Sequence, residues 1–191
     1  GFRIPELFDR ILISPVAENE RVKVFISSDA GEMMQAIMTV KVIDFEGNIH
    51  SDEGYALEID ANSSFPYYDT LTSALLSGLD PKKVMLLVTL DGGMNDFKLK
   101  KTMFFKAPKD LDLTVPVISK KLTSDENGYT LQLSSDKLAK NVWLTTSVPG
   151  EFSNNYFDIL PGEVVDIKFN TKTKIALRED MIVVKSLVDS Y

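Results

Sequence analysis

The sequence predicts an all-β protein built from antiparallel β-sandwiches. Apolar and polar residues alternate in most segments, a period of two that is typical of strands with one buried face. Turn-forming residues interrupt these segments about every ten residues, and no series of helices alternates with the strands. Short strands joined by frequent turns favour two sheets packed face to face.

In the first half of the chain, alternation predicts strands around Val24, Val40, Leu57, Val88 and Phe105. The turns between them contain Gly, Asn or Asp, as hairpin turns do. Spacing near i, i+3 and i+4 predicts one helical turn from Leu71 to Leu79, capped by Asp69 or Thr70.

Two prolines and the lack of a clear period make residues 107–116 a predicted linker, with the boundary near Leu111. Residues 1–20 are interpreted as a lead-in from a missing upstream domain, residues 21–111 as one sandwich and residues 112–191 as a second. The expected strands of the second sandwich are 117–123, 129–134, 140–148, 155–160, 164–170 and 181–188.

The composition excludes several classes of function. A net charge of −7 without any basic run argues against a nucleic-acid partner. The absence of cysteine excludes disulfides, thiolate metal sites and a cysteine nucleophile, but leaves the compartment open. No apolar run reaches the roughly 20 residues that span a bilayer.

We predict no catalytic, cofactor-binding or metal-binding residue. The single histidine, His50, follows a turn and is interpreted as a surface strand residue. Glycoside hydrolysis needs two facing carboxylates, and no pair stands out, since Glu151, Asp158 and Glu163 fall where solvated acids usually lie. Residues 91–96 lack the ligand pattern of a calcium loop and predict a hairpin turn.

Two groups of aromatic residues are candidate contact surfaces. Phe65, Tyr67 and Tyr68 fall in a predicted loop, where they either pack beneath it or stack on sugar rings. Trp143 alternates with the apolar residues Val142 and Leu144, which we expect in the core. The only tryptophan would then point outward, which favours a contact surface, first of all an interdomain one.

Residues 150–163 concentrate turn formers, aromatics and carboxylates between two predicted strands. The positions that matter are Phe152, Asn155, Tyr156, Phe157, Asp158, Leu160, Pro161, Gly162 and Glu163. Pro161-Gly162 predicts a tight turn, and Val165, Ile167 and Phe169 of the next strand are expected to face inward. We expect the loop at residues 151–155, with Tyr156, to reach a neighbouring domain.

This segment carries a family resemblance. Residues 152–163 resemble the Phe-Ser-Asp-Asn-Tyr-Phe-Asp-Leu-Leu-Pro-Gly-Glu segment in the last immunoglobulin-like domain of β-mannosidases and related exo-glycosidases of glycoside hydrolase family 2. The C-terminal residues 186–191 are similar to the Ser-Leu-x-Asp-Thr-Tyr ending of the same enzymes. Residues 24–29, 43–47 and 79–81 resemble their preceding Ig/carbohydrate-binding-like domain. Asn154 and Ile159 are mild departures from the pattern.

The resemblance implies two tandem immunoglobulin-like antiparallel β-sandwich domains. In that family the catalytic glutamates lie on a barrel N-terminal to these domains, and no position here matches the barrel's motifs. The expected function is therefore that of non-catalytic C-terminal accessory domains, with the missing barrel of the same polypeptide as partner. The location stays open, and a periplasmic or extracellular one is favoured if the context is bacterial polysaccharide degradation. A stand-alone carbohydrate-binding module and an adhesion or assembly protein are the alternatives.

Overall fold

The computed structural model describes residues 10–191, and these divide into two compact units. The first unit contains the described residues up to Asp44 together with Asn48–Asp112, and the second contains Phe45–Gly47 and Leu113–Tyr191. No helix in this part of the chain has the length and apolar character needed to cross a bilayer.

The first unit consists of two antiparallel sheets, one ordered β1-β2-β5 and the other β4-β3-β6-β7. A short helix, α1 (Thr72–Leu76), follows β5, and 3-10 turns lie at Gly93–Asn95 and Pro108–Asp110. The strands are β1 Ile11–Glu18, β2 Arg21–Ser28, β3 Met34–Asp44, β4 Ile49–Ile59, β5 Ser63–Leu71, β6 Val84–Asp91 and β7 Lys98–Phe104.

The core of this unit follows from the period of two. Alternate side chains of β2, β3 and β6 are almost completely buried and form one cluster. Because each buried aliphatic side chain contributes about 1.5–3 kcal/mol, this alternation suffices to specify which face of each strand turns inward. The inward residues are Val22, Val24, Ile26, Met38, Val40, Val42, Leu86, Val88 and Leu90.

Three local predictions for the first unit differ from the structure. Residues 11–18, assigned to a lead-in, form β1 and pair along their whole length with β2. Phe65–Tyr68 belong to β5 rather than to a loop, because β2 supplies their hydrogen-bonding partner. Helix α1 is shorter than expected and is capped by neither Asp69 nor Thr70, since Asp69 instead pairs with Arg21 at 2.7 Å.

The second unit has the same two-sheet arrangement, with orders β11-β13-β9-β8 and β12-β10-β14. The strands are β8 Ile118–Asp125, β9 Gly128–Ser135, β10 Ala139–Thr146, β11 Glu151–Phe152, β12 Phe157–Ile159, β13 Val164–Asn170 and β14 Ile182–Lys185. Two 3-10 turns lie at Glu179–Met181 and Leu187–Ser190, so the predicted strand 181–188 ends earlier than expected. The all-β prediction is confirmed.

The core of the second unit is built around Phe169. Its ring is 1% exposed and lies 4.8 Å from the ring of Phe152 and 6.4 Å from that of Tyr129. Ile167 is also buried and Val165 half-buried on the same face of β13, as predicted from the alternation. The neighbouring strand β9 contributes Leu131 and Leu133 to the same core. From the opposite sheet, β10 and β14 contribute Val142, Leu144 and Ile182.

Pro161-Gly162 forms the predicted tight turn. The backbone N–H of Glu163 donates to the carbonyl of Leu160 at 3.0 Å, which closes a four-residue turn with proline second and glycine third. Gly162 has φ of 77°, the left-handed conformation that a type II turn requires at this position. The turn thereby sets the direction in which β13 leaves β12.

We predict that Gly162→Ala destabilises the second unit by about 1–2 kcal/mol, because a Cβ is disfavoured at positive φ. Gly162→Asn should cost clearly less, since asparagine tolerates this conformation. Urea unfolding followed by the fluorescence of Trp143, the only tryptophan, measures both variants. Equal midpoints for wild type and the alanine variant would contradict the assigned turn.

Candidate functional site

The exposed face of the second unit is shaped by a bulge between β10 and β12. Ala139 pairs with Ile159 and Val142 with Phe157, so that Lys140 and Asn141 lie opposite the single residue Asp158. Two residues facing one define a β-bulge, which bends the strand and increases its twist. Within the bulge, the backbone of Asn141 adopts the left-handed conformation, with a φ of 51°.

Asp158 holds this bulge in place. Its Oδ1 accepts a hydrogen bond of 2.9 Å from the backbone N–H of Asn141, and its Oδ2 lies 3.2 Å from Nζ of Lys140. The two charged side chains are only 20% and 11% exposed. The interpretation of Asp158 as a solvated acid is therefore wrong, because it is a half-buried, paired carboxylate with a structural task.

Other residues of the 152–163 segment also serve the fold. Oδ1 of Asn155 accepts a hydrogen bond of 2.6 Å from the backbone N–H of Leu144, and Phe152 packs its ring against the core. Oε1 of Glu163 accepts from the N–H of Leu160 at 3.3 Å. Phe152 and Asn155 thus tie the loop at residues 151–155 to its own unit, while Glu151, Ser153 and Asn154 are exposed. That this loop reaches a neighbouring domain stays a prediction.

Among the large apolar and aromatic side chains of residues 152–163, Tyr156 is the one exposed to solvent. It is 73% exposed, has a φ of 59°, and its N–H donates to the carbonyl of Val142 at 2.7 Å. This backbone geometry turns its ring over Trp143, with ring centroids 6.3 Å apart and planes at 24°. We call these two stacked residues the Trp143–Tyr156 platform.

The platform extends onto the neighbouring strand. Trp143 pairs with Lys185 of β14 and Thr145 with Val183, so these side chains share the outward face of the sheet. Val183 is 47% exposed, and Trp143 is half-buried as predicted from its alternation with Val142 and Leu144. The result is an apolar aromatic surface with a basic side chain beside it.

The structure separates the aromatic residues of the first unit. Phe65 is 57% exposed and meets Tyr67 edge to face at a centroid distance of 5.2 Å, while the Tyr67 hydroxyl donates to the carbonyl of Glu58. Tyr68 is only 8% exposed and packs against Tyr55 at 5.9 Å. Placing Tyr68 on a sugar-stacking surface was therefore wrong, because its ring belongs to the core.

The polar residues considered for chemistry have local partners. Nε2 of His50 lies 2.9 Å from Oδ2 of Asp44, which also accepts from the side chain of Asn48. Asp91 caps the turn at Gly93–Asn95 by accepting from the N–H of Gly93. Across residues 10–191, no group of three or more His, Cys, Asp or Glu side chains is arranged to hold a metal ion.

We predict that Asp158→Ala destabilises the second unit by about 2–3 kcal/mol, because it removes the carboxylate that pairs with the Lys140 ammonium and accepts the hydrogen bond of the Asn141 N–H. Asp158→Asn should cost less, since its amide oxygen retains the bond to Asn141. Asp166→Asn is the matched control: Asp166 is exposed, and the change should stay within about 0.5 kcal/mol. Urea unfolding followed by Trp143 fluorescence compares the three, and equal costs for Asp158→Ala and Asp166→Asn would overturn the role of the bulge.

Both units match known domain families. Residues 20–110 match the mannosidase Ig/CBM-like domain, and residues 113–190 match the Ig-fold domain of mannosidases. A comparison with curated proteins gave no match.

Solved structures show the same arrangement of strands. The β-D-mannosidase from Dictyoglomus thermophilum superposes with a TM-score of 0.72 at 23% identity, over 94% of this chain and 22% of that enzyme. The exo-chitosanase from Amycolatopsis orientalis gives a TM-score of 0.52 at 13% identity, over 84% of this chain and 23% of that one. The chain thus spans less than a quarter of the length of either protein.

These matches confirm the predicted fold class, two tandem immunoglobulin-like antiparallel β-sandwiches, and the resemblance carried by residues 152–163. The chain belongs to the immunoglobulin-like accessory domains of mannosidase-type proteins, with a mannosidase Ig/CBM-like domain at residues 20–110 followed by an Ig-fold domain at residues 113–190.

Proposed function

We propose that the chain forms the non-catalytic C-terminal accessory domains of a β-mannosidase-like exo-glycosidase of glycoside hydrolase family 2. The observation that carries this proposal is the pair of consecutive domain matches, which together cover residues 20–110 and 113–190. The superposition on the Dictyoglomus thermophilum β-D-mannosidase, over 94% of this chain but 22% of that enzyme, supports it. Hydrolysis of terminal β-linked sugars would then belong to a barrel domain of the same polypeptide.

The Trp143–Tyr156 platform is the surface through which the chain would contact that barrel. Trp and Tyr are the side chains most enriched at binding hot spots, since each offers a large rigid apolar area at a small cost in conformational entropy. Elsewhere in the segment, Phe152, Asn155 and Asp158 are occupied by contacts within the second unit. Only the outward face of this segment is therefore available to a partner.

A second candidate function is carbohydrate binding by the first unit. Phe65 is 57% exposed and held edge to face by Tyr67, so a preorganised ring face is open to solvent at this point. Aromatic rings in that state stack on the apolar faces of sugars through dispersion. Tyr68 takes no part in this candidate surface, since it is buried.

Activity assays of the 191-residue chain test the proposed absence of catalysis. With aryl β-mannosides and aryl β-glucosaminides we expect no turnover above the buffer rate, whereas the longer polypeptide encoded by the same gene should hydrolyse one of them. Typical enzymes turn over about 10 times per second, so a contamination-free rate near that value from the chain alone would refute the accessory role.

Variants of the platform test its role in docking. We expect Trp143→Ala and Tyr156→Ala each to weaken binding to the separately produced upstream domains of the same polypeptide by tenfold or more, which corresponds to about 1.4 kcal/mol. Val164→Ala is the matched control, because Val164 is 60% exposed on the other sheet of the second unit. Calorimetric titration measures all three; unchanged affinity for both aromatic variants would place the contact elsewhere.

Titration with manno-oligosaccharides tests the second candidate. Saturable binding that is lost in Phe65→Ala and Tyr67→Ala, but kept in Trp143→Ala, would support a carbohydrate-binding role for the first unit. A flat titration of the wild-type chain would remove this candidate and leave the accessory role untouched.

A further inference from the structure

Strand β4 (Ile49–Ile59) lies at the edge of its sheet and is the longest of the described edge strands, with 11 residues. Edge strands expose unpaired backbone groups, so most are very short or carry lysine or proline, which oppose pairing with another chain. The other edge strands fit this rule: β11, β12 and β14 have two to four residues, β1 and β5 contain proline, and β7 and β8 contain lysine. Strand β4 contains neither residue, which leaves its edge open to a partner.

The middle of β4 is accessible from both faces of the sheet. Residues 52–56 are all exposed, although their side chains alternate between the outward face and the core side. Gly54 lies at the centre of this run, where a Cβ would have no neighbour within 4 Å and the backbone is that of an ordinary strand. The fold of this chain therefore does not require glycine here. Glycine inside a strand often marks a place where another backbone approaches closely.

Two hydrogen bonds show which backbone groups of β4 point to its free edge. Glu58 pairs with Gln35 of β3. The carbonyl of Glu58 accepts instead from the hydroxyl of Tyr67 at 3.2 Å. The carbonyl of Gln35 accepts from the side chain of Asn95 at 3.3 Å. This pair is therefore non-hydrogen-bonded, and its backbone groups point away from each other. Because the direction alternates along a strand, residues 52, 54 and 56 also present their N–H and C=O groups to the free edge.

Charge decides which register a second copy of β4 is able to adopt. Antiparallel pairing about a twofold axis must bring the outward-pointing backbone groups of both copies together, which restricts the axis to a few positions. An axis at Asp52 or Glu53 places that carboxylate opposite its own copy. An axis one residue beyond Gly54 places Asp52 opposite Glu58, and an axis one residue further places it opposite Asp60. Like charges directly opposite each other destabilise a sheet.

An axis at Gly54 avoids all of these repulsions. Asp52 of one copy then faces Ala56 of the second copy, and Glu53 faces Tyr55. The hydroxyl of Tyr55 already donates to Glu53 of its own strand at 3.1 Å, so the carboxylates at this position meet phenol donors rather than each other. At the axis itself Gly54 faces Gly54, where no side chains compete for space.

We propose that β4 pairs antiparallel with β4 of a second copy of this chain, about a twofold axis at Gly54. Such a contact joins the two four-stranded sheets β4-β3-β6-β7 into one continuous sheet. Twofold contacts of this closed kind are the commonest among oligomers. One strand from each copy forms the contact, and a net charge of −7 on each copy opposes it, so we expect a weak and reversible association.

Disulfide cross-linking of the 191-residue chain tests this register, because the chain contains no cysteine of its own. In Gly54→Cys the two new thiols face each other across the axis, where Cα atoms lie about 5.5 Å apart, a distance that a disulfide spans. With oxidised glutathione as the acceptor of the two electrons, we expect a covalent dimer on non-reducing electrophoresis. Ala56→Cys is the matched control, because Ala56 is exposed on the same face of β4. Its two copies would lie about 14 Å apart and should cross-link at least about tenfold more slowly.

An equal mixture of Asp52→Cys and Ala56→Cys tests the register a second time. These two positions face each other between the copies, so the mixture should form a covalent dimer at a rate comparable to that of Gly54→Cys. Neither variant should do so alone, because each position lies four residues out of register with its own copy.

A charge at position 56 tests the contact with Asp52 in the Gly54→Cys background. Ala56→Glu places a carboxylate opposite Asp52 of the second copy and should slow cross-linking several-fold, whereas Ala56→Lys places an ammonium there and should accelerate it. Within its own chain Ala56 pairs with Ile37 of β3, so neither introduced charge lies directly opposite a charged residue of that strand.

Equal cross-linking rates for Gly54→Cys and Ala56→Cys, or equal effects of Ala56→Glu and Ala56→Lys, would overturn the proposal. Failure of Gly54→Cys to cross-link would overturn it as well. If the separately produced upstream domains then bind the chain, and Ala56→Glu weakens that binding, the edge of β4 belongs to those domains instead of a second copy. None of these results depends on the accessory role, which the activity assays and the platform variants test separately.

Discussion

The outward face of the second unit depends on the contacts that the Asp158 carboxylate makes with the opposite strand β10. This carboxylate accepts a hydrogen bond from the N–H of Asn141 and pairs with the ammonium of Lys140. Both contacts stabilise the β-bulge between β10 and β12. Burying this pair carries a desolvation cost that only good geometry offsets. The bulge in turn sets how Tyr156 lies on Trp143, and with it the aromatic surface offered to a partner.

The segment at residues 152–163 therefore combines two tasks. Phe152, Asn155 and Glu163 satisfy the core and backbone of their own unit, and the turn at Pro161-Gly162 directs β13. Tyr156 alone among the large side chains of the segment projects outward. A sequence motif that identifies a family is thus mainly a set of scaffold contacts, and its functional part is the single aromatic residue that those contacts position.

The two units differ in where polar groups meet the core. In the second unit the half-buried charges of Asp158 and Lys140 are fully engaged with each other and with the backbone. In the first unit the buried Oγ of Ser51 has no hydrogen-bond partner among the described residues, whereas Glu53 and Tyr55 are exposed on the edge strand β4.

Apart from β1 and β5, the sequence by itself determined the main strands, their inward faces and the tight turn, because alternation and the proline-glycine pair act over a few neighbouring residues. Phe169 in the core and Trp143 outside it followed from the period of two. The tertiary structure decided that Asp158 is half-buried and paired, that Tyr68 is a core residue, and that the Ser51 hydroxyl has no partner among the described residues. These facts depend on pairing register and on bulges between strands distant in sequence, and no local pattern encodes them.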